Sequence, residues 1–428
     1  MSQIGLRDRD IGREPVPQPE PGLTPEVLVE RAKALRPLLR ADQDASDERG
    51  HYSDEIHQKL RDGGFYRIVQ PRLFGGYEFD YPSFVRVIQQ IARGNPSSGW
   101  GYTLATSHAF LIASHWSAEA QAELFGPTGD FRAAQKASPT HDAVFERVDG
   151  GYRATGVWTF ASGVPLATHF VGAAVLPGAD GRPTGANFVV PRKSFTILDD
   201  WGGDRSLGMR GSGSNGVKLD NVFIPDRHIT GANILLSSEH MPDGTPGTRL
   251  HGNPMYLGII GGSYHTEFGA ITSGAAWAAL DEYEELMRTR PVMGTPNLKR
   301  LHDPENQRFF GKALMLTESA EALNLAAAEL YMEQCRRWQR DGTPITASDT
   351  MKVWGMCREA CLMACEAVEM LFQTAGAFVT HRGNRLQRYF RDVQMYRIHV
   401  TTQPRVAGLR AQAHFGLEPV FSGPQRKA

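Results

Sequence analysis

The spacing of apolar positions changes twice along the chain. Behind a Thr24-Pro25 pair, which suits an N-cap followed by proline in the first helical turn, apolar residues return at helical intervals: Val27, Leu28, Leu35, Leu38 and Leu39. The helical period continues through 53–63, 81–93, 97–114 and 118–125, separated by short breaks such as PRLFGGYEFD. Near Phe131 the period shortens to two. RAAQKASPTHDAVFERVDGGYRATGVWTFASGV, HFVGAAVLPGADGRPTGANFVVPR and GVKLDNVFIPDRHI alternate as strands around Gly and Pro turns. A polar stretch, SSEHMPDGTPGTRLHGNP, follows. The helical period then returns in long segments near 256–288, 304–340, 348–376 and 386–414, with Thr346-x-x-Asp349 placed as a capping box.

This order predicts an α+β protein in three parts. An N-terminal helical domain covers 24–132, a small antiparallel β-domain 133–234, and a C-terminal four-helix bundle 255–428. Residues 1–23 alternate proline with polar residues in GREPVPQPEPG and predict a mobile tail. Residues 235–254 predict a linker or mobile loop. No internal repeat is visible.

Composition narrows the function classes. In 428 residues, 46 Lys and Arg against 47 Asp and Glu leave a formal charge of −1. That balance excludes nucleic-acid binding by bulk basicity and argues against a polybasic membrane anchor. No apolar run approaches the ~18 residues of a spanning helix, and MSQIGLRDRD lacks a signal-peptide core, so a cytoplasmic protein is expected. Cysteine is sparse, at four residues, so no disulfide scaffold is expected. Cys357, Cys361 and Cys365 recur every four residues, which stacks them on one side of a helix. Ligand clusters use shorter gaps and several elements, so buried packing thiols are expected and no metal.

The short motifs exclude more than they assign. GSGSNG, residues 211–216, matches G-x-G-x-x-G as a string, but a strand-like VKLDNVFIP follows it where a dinucleotide site needs a helix. There is no phosphate-binding G-x-x-x-x-G-K-[ST], no H-E-x-x-H and no G-x-S-x-G elbow. His108, His115, His265, His381 and His399 are candidates by residue type, and such histidines more often pack or hydrogen-bond than catalyse.

Three longer blocks, in order, say more. The first is Gly156-Val-Trp158-Thr-Phe160-Ala-Ser162-Gly163. The second is Asp200-Trp201, then Gly208-Met-Arg210-Gly-Ser212-Gly-Ser214, then a strand ending at Pro225. The third is Thr374-Ala-Gly376, then Arg388-Tyr-Phe-Arg391-Asp392, then His399. From about residue 25 to residue 415 the chain resembles the acyl-CoA dehydrogenase superfamily, and within it the two-component, flavin-dependent monooxygenase branch. That branch includes hydroxylases of 4-hydroxyphenylacetate and steroid phenols, and dibenzothiophene monooxygenase.

The resemblance assigns roles. Trp158 and Phe160 belong to a strand that packs beside a flavin, and Ser162 lies near the flavin's reactive edge. Ser212 and Ser214 sit in a turn whose hydroxyls hold the phosphate-bearing tail, as a Gly-rich turn can. Ser138 lies where the first strand of the sheet passes the flavin. Arg290 reaches the flavin tail across a subunit interface. His399 is the acid or base near the substrate or the oxygenated flavin, and His108 orients a phenolate. The dehydrogenases' catalytic Glu has no counterpart after the third block, where Val400 stands and cannot abstract a proton. Ala375-Gly376-Ala377-Phe378 departs from the usual Gly-rich turn, which leaves FMN and FAD both open.

The implied protein is an oxygenase component that takes reduced flavin from a separate, transiently contacted reductase. It would react with O2 through a flavin C4a-hydroperoxide and hydroxylate a small aromatic or heteroaromatic substrate, as a homotetramer. N- or S-oxygenation, an acyl-CoA dehydrogenase or oxidase, and a non-catalytic flavin-binding protein are the alternatives.

Overall fold

The computed structural model describes residues 14–140, 142–177, 181, 183–231 and 236–419. They form two compact units. The first holds the described residues up to Gly231 together with Asp243–Gly258, and the second holds Leu236–Pro242 and the chain from Ile259.

The first unit opens with helices α1 (Pro25–Ala41), α2 (Gln43–Arg49), α3 (Asp54–Asp62), α4 (Tyr81–Gly94), α5 (Pro96–His115) and α6 (Ala118–Phe125). Local signals set their starts. The Thr24 hydroxyl accepts from Val27 N, and the Asn95 side chain accepts from Ser98 N ahead of Pro96. Helix α5 has almost no polar face and is buried along nearly its whole length, so it is the central helix of this unit.

Eight strands follow: β1 (Ala133–Lys136), β2 (Val144–Val148), β3 (Gly151–Trp158), β4 (His169–Pro177), β5 (Pro183–Pro191), β6 (Thr196–Ile197), β7 (Val217–Pro225) and β8 (Ile229–Thr230). They build two four-stranded sheets, ordered β1-β4-β5-β8 and β2-β3-β7-β6. One core joins them, made of Trp158, Phe170, Phe188, Val217, Leu219 and Ile224 among others. The pairing is antiparallel except between β1 and β4, which run parallel, with Ala133 opposite His169. The two are joined by a long excursion through β2 and β3, as a parallel pair requires.

Two expected irregular stretches are ordered where they are described. Residues 1–13 of the expected mobile tail lie outside the described residues. Residues 14–23 dock instead on the first unit. Val16 N donates to Leu73 O at 2.9 Å, the Gln18 amide donates to Gly76 O at 2.6 Å, and Leu23 is buried. Proline lowers the entropy lost on ordering an extended segment, and two apolar residues suffice as anchors. The expected linker contains α7 (Pro246–His251), with a capping box between Thr245 and Thr248 and Leu250 buried. Thr245-Pro246 carries the same start signal as Thr24-Pro25.

The second unit is built on α8 (Ile260–Thr289), followed by the hairpin β9 (Pro291–Val292) and β10 (Thr295–Lys299), then α9 (Pro304–Asp341) and α10 (Ala347–Ala375). The capping box at Thr346 and Asp349 is present. The fourth expected helix, 386–414, is two helices, α11 (Arg385–Arg397) and α12 (Arg405–His414). Pro404 removes a backbone donor, and the Thr402 hydroxyl donates to Tyr396 O at 2.6 Å, so the chain turns between them. Cys335, Cys357, Cys361 and Cys365 are all reduced and buried, with their thiols pushed up by burial, Cys335 and Cys361 to about 12. Among the described residues no helix is long and apolar enough to cross a membrane, and no group of three or more His, Cys, Asp or Glu is placed to hold a metal.

Candidate functional site

In the first unit the chain leaves β3 at Trp158, and strand alternation ends there, so Phe160, two residues on, does not share the face of Trp158. Trp158 points into the sandwich, fully buried. Its indole N–H donates to Ala173 O at 3.0 Å, and its ring meets Phe170 and Phe188 edge to face. Burying such a ring contributes roughly 4–6 kcal/mol of transfer free energy. Trp158 is therefore a core residue, not the flavin-facing surface expected of it. Phe160 is the outward aromatic, 58% exposed, with its ring 5.3 Å from Trp201. The peptide between Thr159 and Phe160 is cis.

Ser162 follows, and the backbone ties it to the second block. Ala161 N donates to Asn215 O, Gly163 N to Ser212 O and Val164 N to Gly213 O, at 3.0–3.2 Å. Gly163 has φ +79°, and a Cβ there would lie 2.6 Å from Gly101 O, so both backbone conformation and space demand glycine. Gly101 on α5 is similarly constrained, since its Cβ would lie 2.7 Å from Ser212 O.

This close approach gathers the hydroxyls. Ser162 Oγ lies 2.7 Å from Ser214 Oγ, which lies 2.6 Å from Ser212 Oγ. The Trp100 indole donates to Ser162 Oγ at 2.9 Å. The roles given to Ser162 and to Ser212 and Ser214 are thus not separated along a ligand, because the three form one cluster. Three hydroxyl protons serve two hydroxyl–hydroxyl bonds, so one O–H is left over. When Ser212 donates to Ser214 and Ser214 to Ser162, the spare donor is Ser162, polarised by the Trp100 N–H on its oxygen.

His108 and Ser138 do not join this cluster. His108 lies two helical turns beyond Trp100, about 12 Å along the axis. It is buried with Nδ1 2.6 Å from Ala133 O, and burial pushes it down to about 4. It ties α5 to β1. Ser138 is exposed in the bend after β1.

In the second unit, α11 is pinned to α10 by Arg397, whose Nε and Nη2 donate to the Glu369 carboxylate at 2.5 and 2.7 Å. The turn that follows presents His399, with His399 N donating to Tyr396 O and Thr402 N to His399 O. The His399 ring is half-buried against Phe268, 4.2 Å between ring centroids, and burial pushes it down to about 3. Val400 packs on the Met351, Trp354 and Val406 cluster, so an apolar seat occupies the position of the dehydrogenase base.

Arg290, at the end of α8, is exposed and lies 4.6 Å over the Phe378 ring, and Arg300 approaches the same ring at 6.0 Å. Arg300 also donates to Ala375 O at 2.6 Å. Phe378, which departs from the family pattern, thus serves as a platform for a pair of cations beside the Gly376 turn. Trp100 and Arg300 were not singled out from sequence. The Gly-Trp-Gly run in α5 is the signal for Trp100, since only a close backbone approach explains glycine in such a helix.

A chain of helices, then β-sheets, then long helices, with these blocks at the exits of β3 and α11, is the acyl-CoA dehydrogenase arrangement. The acyl-CoA dehydrogenase N-terminal domain model matches residues 32–128 and the C-terminal domain model residues 267–404, together more than half of the chain. The chain belongs to the acyl-CoA dehydrogenase superfamily and to its flavin-dependent monooxygenase branch. It is 28% identical over 411 residues to the oxygenase subunit of a flavin-dependent monooxygenase from Rhodococcus jostii, covering 91% of this chain and 98% of that one. It is 28% identical over 425 residues to the oxygenase component of an FADH2-dependent resorcinol hydroxylase from Rhizobium, covering 94% and 97%. The crystal structure of a 3-HSA hydroxylase from Rhodococcus superposes with a TM-score of 0.80 at 26% identity, covering 92% and 98%.

In the first unit the residues fit a flavin ring. Exposed Phe160 beside Trp201 suits a planar ring, and the spare hydroxyl donor suits its polar edge. In the second unit, taken by itself, the guanidiniums of Arg290 and Arg300 suit a phosphate.

Proposed function

We propose that this chain is the oxygenase component of a two-component monooxygenase, which uses reduced flavin and O2 to hydroxylate a small, phenolic or heteroaromatic substrate. The observation that carries the reading is the Trp100–Ser162–Ser214–Ser212 chain, which holds one spare O–H where the first and second blocks meet. Reduced flavin supplies the activation of O2, which side chains alone seldom provide.

The chain's own residues hold and shield. Ser162 donates to the reactive edge of the bound ring, and Phe160 with Trp201 covers its face. Arg290, with Arg300 beside it, binds the phosphate of the cofactor tail across a subunit interface. His399 meets the substrate side through its imidazole. His108 acts at one remove, by holding β1 against α5. The names of the similar proteins, oxygenase subunit and oxygenase component, support a separate reductase, and resorcinol in one of them supports a phenol. A homotetramer is part of the same proposal, and light scattering after size exclusion tests it.

The test mixes the protein and anaerobically reduced FMN or FAD with O2 in a stopped-flow instrument, with a panel of phenols. The expected result is an absorbance transient distinct from reduced and oxidised flavin, and a product carrying one atom from isotopically labelled O2. Direct reoxidation that yields only hydrogen peroxide, or bleaching of bound oxidised flavin by an acyl-CoA thioester, would overturn the reading. Oxygen found on nitrogen or sulfur would move the substrate class and leave the cofactor chemistry standing.

A further inference from the structure

We propose that Thr401 and His265 lock the tautomer of His399, so that the ring faces its site as a neutral Nε2–H donor and not as a base. The hydrogen bonds made by Thr401 agree with one assignment. The Thr401 backbone N–H donates to His399 Nδ1 at 3.3 Å. A peptide N–H has no lone pair to offer, so that ring nitrogen is bare and the proton of the neutral ring sits on Nε2.

The Thr401 hydroxyl completes the lock. Its Oγ1 lies 3.1 Å from His399 Nδ1 and 2.9 Å from His265 Nδ1, and it carries one proton for the two nitrogens. If that proton points to His399, then His265 donates its own Nδ1–H to Oγ1, and every close pair has one donor and one acceptor. His265 Nε2 is then a bare lone pair, and this is the buried ring atom with no partner among the described residues. The reverse arrangement sets the Oγ1 lone pair against the His399 lone pair and leaves a buried N–H orphan on His265, which proteins rarely tolerate. Trp354 braces both ends. Its ring stacks on His265 at 3.8 Å and 16°, and its indole N–H donates to Thr401 O at 3.2 Å.

Protonating His399 at Nδ1 would set N–H against the Thr401 peptide N–H and force the hydroxyl and His265 to rearrange together. Burial acts in the same direction, holding His399 near 3 and His265 well below its ordinary value. Of the ionisable groups around the pair, the Glu267 carboxylate is the one that favours a charged ring, and burial outweighs it. On α8 the groups are Tyr264, kept neutral by burial and the Glu267 charge, and Glu267 itself. On α11 they are Tyr396, raised by burial, and Arg397, engaged by Glu369. On α10 Trp354 carries no charge. The consequence for chemistry, a donor in place of a base, rests on the oxygenase reading, whereas the tautomer does not.

The test is nitrogen NMR of the full chain labelled at histidine, without flavin, with His399 assigned by His399→Asn. Expected is a pyrrole-like Nε2 and a pyridine-like Nδ1 that stay fixed from about pH 5 to 8. Thr401→Val should raise the Nδ1–H tautomer roughly fivefold, the worth of one hydroxyl hydrogen bond, and Thr401→Ser should reverse this. His265→Phe, which keeps a ring for Trp354 to stack on, should act like Thr401→Val. A wild-type ring protonated on Nδ1, or titrating within that range, overturns the lock, and beyond the His399→Asn assignment this result needs no variant. Thr401→Val with an unchanged spectrum overturns the part given to the hydroxyl. A locked ring in a chain that binds no reduced flavin would sink the oxygenase reading and leave the lock standing. Hydroxylation by a chain whose His399 is protonated on Nδ1 would do the reverse.

Discussion

Replacing Ser162 by alanine should separate stability from chemistry. Ser162 Oγ takes one hydrogen bond from Trp100 and shares one with Ser214. Trp100 is half-buried, so water can replace the lost acceptor, and the cost to folding falls near the low end for a hydrogen bond, about 1 kcal/mol. In a chain of this size that lowers Tm by about 1 °C. The functional loss should be larger, because a preorganised donor at a reacting centre is worth about 2–4 kcal/mol, or roughly 30- to 1,000-fold. The assay is the ratio of hydroxylated product to hydrogen peroxide per reduced flavin consumed, beside a thermal melt. Ser162→Ala should lose most of its product while melting nearly as before. Ser214→Ala should lose less, since Ser162 keeps both its proton and Trp100. Ser162→Ala within twofold of wild type in product ratio would refute the role given to the spare hydroxyl.

Three further outcomes follow from the geometry. Gly101→Ala places a Cβ 2.7 Å from Ser212 O, so it should displace the serine turn, destabilise by about 1–3 kcal/mol in denaturant melts, and weaken flavin binding, even though alanine favours helix. His108 stays neutral down to about 4 in the fold, against about 6.5 unfolded, so the unfolded chain binds more protons between those values and stability falls as pH drops through that window. His108→Gln should shrink the stability difference between pH 7 and pH 5 by roughly 1–2 kcal/mol in urea melts. Arg290→Ala should weaken binding of reduced FMN about tenfold at low salt and leave riboflavin unaffected in the same titration, because it removes a charge-assisted contact to phosphate.

Much of the architecture was legible because period and caps agree. Thr24-Pro25 and Thr346-x-x-Asp349 mark helices that form where the spacing places them. Helix α7 was hidden because it is short and offers only Leu250 as a buried leucine, too little to show a period, although Thr245-Pro246 announced it. The parallel pairing of β1 with β4 was not readable, since alternation says nothing of direction. At the candidate site the blocks showed which segments matter but not which side chain turns outward. Trp158 carries the family pattern yet its indole is spent on Ala173, and Phe160, two residues on, is the exposed ring. The meeting of Ser162 with Ser214 depends on contact between segments 52 residues apart, and so does the pairing of His265 with Thr401 across 136 residues. No local spacing encodes either.

The four cysteines bear on how such an enzyme survives its own leakage. A monooxygenase that loses part of its activated oxygen as hydrogen peroxide generates an oxidant inside its own assembly. The species that peroxide attacks fastest is the thiolate, and every thiol here is buried in the helical unit and held in its protonated form. Oxidative wear should therefore fall first on thioethers at the surface, Met293 at 90% exposed and Met315 at 62%. Both lie outside the apolar core, so sulfoxide would accumulate there as a record of turnover before it cost the fold anything.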